Sequence, residues 1–72
     1  MSIQHVAITA TLTNQGVAHQ LAQFCKRSTF DMFYDMTEAH LPHDERTERA
    51  HQMIAGIAAV GRALADAGYD PR

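Results

Sequence analysis

Between residues 6 and 12 apolar and polar positions alternate, with Val6, Ile8, Ala10 and Leu12 on one side and Ala7, Thr9 and Thr11 on the other. Residues two apart share a face of an extended chain, and four of these side chains are β-branched, so the pattern predicts a short N-terminal strand over residues 3–11. A lone strand leaves its backbone donors and acceptors unpaired. No second strand-like run follows, and the cheapest partner is the same segment of another copy across a two-fold axis.

After Thr13, a candidate N-cap, the period changes. Val17, Leu21, Phe24, Cys25, Ser28, Met32 and Met36 recur at three- and four-residue steps, and Phe30, Phe33, Tyr34 and Leu41 widen the stripe. The expectation is a first helix over residues 14–39, about 40 Å long at 1.5 Å per residue, with Thr29 after Ser28 as the place for a bend. Leu41-Pro42-His43-Asp44 reads as a turn, because the residue before proline is pushed away from helical angles and Asp44 is a good N-cap. A second helix over residues 44–67 then carries Ala50, Met53, Ile57, Val60, Leu64 and Ala67 at seam spacing. Its first turn holds Glu45 and Glu48 at the positive end of the helix dipole, with Glu45 four residues before Arg49. Small neighbours, among them Ala55, Gly56, Ala59 and Gly61, imply close approach of another backbone, which offsets the cost of about 1 kcal/mol for a glycine inside a helix. Gly68 suits a left-handed C-terminal cap, Tyr69 can fold back on Leu64, and Pro71 stops the helix.

A chain of 72 residues buries only about 60% of the surface its unfolded form exposes, and Cys25 stands alone, which removes a disulfide as reinforcement. The fold class is therefore mostly α: a short strand and a two-helix hairpin in one domain, 1–72, dimerising into a four-helix arrangement. Val6, Ile8, Leu21, Phe24, Met53, Ile57, Val60 and Leu64 are the expected dimer or core positions. The free thiol, and a first segment without a basic region and a long apolar run, fit a cytoplasmic protein. No run approaches the roughly 20 apolar residues of a membrane span.

Charge changes the picture more than composition does. The net charge is −2, yet residues 1–30 carry +2, residues 31–48 carry −5 and residues 49–72 carry +1. Asp31, Asp35 and Glu38 stand at i, i+4 and i+7, and the turn brings Asp44, Glu45 and Glu48 to the same end. Such a patch suits a basic surface on a protein partner; the plainer alternative is a solvated helix face and a well-capped helix start. Glu48 and His51 have the Glu-x-x-His spacing of a di-iron carboxylate bundle if Asp35 or Glu38 joins them. The acid-rich first turn explains Glu48 without metal, and His40 and His43 lack a nearby cysteine, so no metal and no cofactor are expected. Cys25 falls on the apolar stripe, and neither a phosphate loop nor a nucleophile elbow occurs, so no enzymatic activity is expected. Strand-helix-helix closed by dimerisation is also the plan of ribbon-helix-helix DNA regulators. Here the outward ribbon face would be His5, Ala7, Thr9 and Thr11, and the second helix opens on acids, so direct nucleic-acid contact is not expected.

Ala10-Thr11-Leu12-Thr13, Leu21 to Arg27 with Phe30, and Ala63 to Arg72 resemble a family of small uncharacterised helical proteins from proteobacterial mobile elements. The resemblance covers both ends of the chain, whereas residues 31–57 depart from it. It implies no catalytic residue. It does imply a context in which short acidic proteins inhibit host defence, as anti-CRISPR proteins do by binding a Cas effector subunit. The expected function is thus a non-enzymatic protein-binding module, an inhibitor of a bacterial defence complex, with the DNA-binding regulator as alternative.

Overall fold

A computed structural model describes residues 4–69. It is helical, with α1 at Gln15–Arg27, α2 at Phe30–Asp35 and α3 at His43–Asp66. The expected strand is absent among the described residues: residues 4–12 form no regular element and make no backbone hydrogen bond to another described residue. Ile3, where that strand was to begin, and Pro71 lie outside the described residues.

The first helix is likewise not continuous over 14–39. It stops at Arg27, where the Ser28 amide donates to Phe24 O at 3.0 Å and the Ser28 hydroxyl to Cys25 O at 3.1 Å. Thr29 then caps a new helix, its Oγ1 accepting from the Met32 amide at 3.4 Å. Two small hydroxyl side chains that bond local backbone thus replace one long helix with two short ones. At the start of α1, Asn14 takes the capping role expected of Thr13, its Oδ1 accepting from the Val17 amide at 3.0 Å. At the start of α3, Pro42 rather than Asp44 is the cap residue. Its backbone is extended, at φ −60° and ψ 155°, with no side-chain cap, and Asp44 instead accepts from the neighbouring Glu45 amide.

The C-terminus of α3 follows the sequence closely. Gly68 adopts φ +96°, its amide donates to Ala65 O at 3.0 Å, and the Tyr69 amide donates to Leu64 O at 2.8 Å. These two bonds form a Schellman cap, and Tyr69 packs back on the cluster containing Leu64.

α3 is the spine. α1 packs against its C-terminal half and α2 against its N-terminal half, while α1 and α2 do not touch. α1 runs antiparallel to α3, with Cys25 facing Gly61 and Ala18 and Ala22 clustering with Leu64. A Cβ at Gly61 would sit 3.6 Å from Cys25 Cβ, in ordinary van der Waals contact, so Cys25 packs over this glycine. Gly56 meets nothing within 4 Å. Gly56→Ala should therefore stabilise the protein by about 0.5–1 kcal/mol through helix propensity. A thermal melt shows this as a rise of a few degrees, and no rise would mean that a second molecule covers this face.

The buried residues are Ala18, Ala22, Phe33, Ala50 and Leu64, with Thr37 beside them. Of the expected core positions, Leu64 is buried, and Leu21 and Val60 pack on its cluster half-buried. Met53 and Ile57 are also half-buried. Phe24, Val6 and Ile8 are exposed by 42%, 85% and 81%. The contact face of α1 passes through Ala18 and Ala22, because small side chains let α1 lie close to the glycine-containing face of α3. This turns Val17 and Phe24 toward solvent.

Candidate functional site

The six acids of the expected patch lie on α2, on the turn after it and on the first turns of α3. Asp31 is in the first turn of α2 and Asp35 is its last residue, one turn apart and both exposed. Asp44 and Glu45 occupy the first turn of α3, and Glu48 follows on the next, all exposed. Glu38 does not continue the Asp31–Asp35 stripe, since α2 has ended three residues earlier. It turns instead to Arg49, with Nη1 to Oε2 at 3.4 Å and both side chains about half exposed. Arg49 therefore pairs across the turn with Glu38 and not along its own helix with Glu45. An exposed pair of this length contributes little stability.

Beneath the acids lies an arrangement that periodicity does not reveal. Arg46 sits with Cζ 4.2 Å from the centroid of the Tyr34 ring, close enough for a cation–π contact. Its Nε donates to Thr37 Oγ1 at 2.8 Å and its Nη2 to Tyr34 O at 3.1 Å, while the Thr37 hydroxyl donates to the same carbonyl at 2.6 Å. The Tyr34 hydroxyl and His43 Nδ1 are 2.8 Å apart. Phe30 lies 5.9 Å from the Tyr34 ring and 5.4 Å from the His51 ring. Arg46 thus ties the C-terminal carbonyl end of α2 to α3, where a cation is favoured by the helix dipole. The only sequence signal is a cation among acids within reach of a tyrosine across a turn, which many solvated surfaces share.

The histidines considered as metal ligands have other neighbours: His51 faces Phe30 and His43 meets Tyr34. Among the described residues no three of His, Cys, Asp and Glu converge, so Glu48 and His51 gain no third ligand from Asp35 or Glu38. Cys25 is half-buried against Gly61. No described helix is long and apolar enough to cross a membrane.

Two apolar grooves flank the helices. One, of about 500 Å³, lies between the N-terminal segment and the α1–α3 pair, and Ile8, Ala10, Leu12, Leu21, Val60 and Tyr69 are among its walls. The other, of about 600 Å³, runs between the Cys25–Phe33 stretch and the middle of α3 past Ile54 and Ile57, with Lys26 and Arg62 among its lining residues.

A family profile described as "Family of unknown function (DUF7706)" matches residues 1–72, and the chain belongs to that family. No curated protein matches the chain, and no solved structure matches it.

Proposed function

We propose that this family member is a non-enzymatic protein-binding module whose acidic end docks on a basic surface of another protein. The observation that carries the reading is the disposition of charge where α2 meets α3. Asp31, Asp35, Asp44, Glu45 and Glu48 present their side chains to solvent, whereas Arg46 is folded onto Tyr34 and Thr37 and Arg49 pairs with Glu38. Carboxylates on a base held rigid by Arg46 steer a positively charged partner and favour its orientation. A protein whose working surface grips nucleic acid is such a partner. Together with the resemblance to mobile-element proteins, this makes a Cas effector subunit of the bacterial host, met in the cytoplasm, the specific target we propose.

The module acts as a homodimer in this reading. Its accessible surface is 5918 Å², against about 4,450 Å² for a compact monomer of its mass. Its radius of gyration is 14.1 Å, against about 11 Å for a compact chain of this length. Part of the exposed surface is apolar, with Val6 85% and Ile8 81% exposed, and that is what a second copy would cover.

Reversing Asp31, Asp35 and Glu48 to lysine tests the acidic end. All three are exposed, so the fold should persist. A pull-down from proteobacterial lysate with an active type I CRISPR system should recover Cas subunits with the unaltered protein and lose them with the triple variant. The affinity should fall by about a hundredfold or more, since like charges brought together across an interface cost several kcal/mol. Unchanged affinity would leave the acids as a solvated face. Recovery of DNA in place of protein would move the assignment to a ribbon-helix-helix type of regulator.

A further inference from the structure

We infer that residues 6–12 of two copies pair antiparallel about a two-fold axis at Thr9, and that the partner's Val6 closes the apolar groove beside Leu12 in each subunit. This rests on the homodimer reading and names its interface.

Three observations lead there. Ile8, Ala10 and Leu12, which alternate along the chain, all line the 500 Å³ groove, so the segment already has the two-residue period of a strand. No backbone hydrogen bond joins residues 4–12 to another described residue, which leaves their donors and acceptors available to a second strand. Leu12 packs on the Ala18–Ala22–Leu64 cluster, yet Ile8 on the same side is 81% exposed at the groove wall and Val6 is 85% exposed. One end of the apolar face is seated and the other end is bare.

Self-complementarity selects the occupant and the register. With Thr9 on the axis, Ile8 stands opposite the partner's Ala10 and Val6 opposite the partner's Leu12. Every groove-side position then meets an apolar residue, large against small at the centre. A shift by one residue would set Thr9 and Thr11 against the apolar face. Moving the axis to Ile8 would bring Gln4 opposite Leu12, and moving it to Ala10 would bring Val6 opposite Asn14, which is occupied in capping α1.

Cross-linking and mass measurement together test the pairing. In a Cys25→Ala background, Thr9→Cys should form a disulfide-linked dimer on mild oxidation, because directly opposed residues lie about 4.5–5.5 Å apart at Cα. Ala7→Cys should not, its two copies being about 13 Å apart in this register. Val6→Asp with Ile8→Asp should raise the dimer dissociation constant by about a hundredfold or more, since carboxylates from both copies would enter an apolar interface. Both positions are exposed in the single chain, so helicity by circular dichroism should be kept. Dimers that survive the double aspartate variant, or that cross-link as readily through residue 7 as through residue 9, would overturn the pairing and leave the homodimer standing. An unaltered protein of 8.0 kDa by light scattering at micromolar concentration would overturn both.

Discussion

Phe33→Ala is expected to cost about 3–5 kcal/mol, the range for emptying a buried aromatic site. Phe33 is 4% exposed and is the bulkiest buried side chain, in a core otherwise made of three alanines and Leu64. It is also the one buried hydrophobic side chain of α2, a six-residue helix far too short to persist alone. A domain of 72 residues has a total stability of about 4–11 kcal/mol at typical values per residue, so the loss removes a large share of it. Urea unfolding followed by circular dichroism, at one fixed protein concentration because association would shift the midpoint, measures the change. A cost under about 1 kcal/mol would mean that α2 is not docked as described. Phe24→Ala serves as the contrast. Its ring is 42% exposed, so the same deletion should cost distinctly less.

Arg46→Ala should be the most damaging substitution of a charged residue, at about 2–4 kcal/mol, because it removes two charge-assisted hydrogen bonds and the contact with the Tyr34 ring together. Thr37, 6% exposed, would lose the donor that its hydroxyl oxygen accepts from. Arg46→Lys should recover less than half of the loss, since an ammonium cannot reach the Thr37 hydroxyl and the Tyr34 carbonyl with one planar fork. Denaturant melts give the energies, and the near-ultraviolet circular dichroism of tyrosine reports whether the ring has been freed. If lysine restores full stability, the site is held by charge alone and the forked geometry is irrelevant.

The second helix was legible in the sequence because its signals agree: Pro42 before it, acids in its first turn and Gly68-Tyr69 at its end. The first was legible only to Arg27. An apolar period runs unbroken through Ser28 and Thr29, and periodicity records which face is apolar without recording where the hydrogen-bond ladder stops. The core was misplaced for a related reason. Large side chains such as Phe24 dominate a hydrophobic pattern, but α1 meets α3 through small ones, Cys25 against Gly61 and Ala18 and Ala22 against Leu64. The strand shows the opposite limit: residues 6–12 carry its pattern, yet they make no backbone hydrogen bond to another described residue, and alternation alone does not supply a partner. The acids of the candidate site were readable as a local excess of charge. The inward turn of Arg46 was not, since it depends on contacts nine and twelve residues away across a turn.

That α1 and α2 each touch α3 but not one another separates two tasks within a very small protein. Substitutions on the outer part of α1 alter the half that carries the N-terminal segment, and substitutions on α2 alter the acidic half, with energies that should add except at the groove that Cys25 and Phe33 both line. A lineage could therefore rework the acidic end with little effect on the packing of α1 and the N-terminal segment. Only changes along α3 would be felt by both.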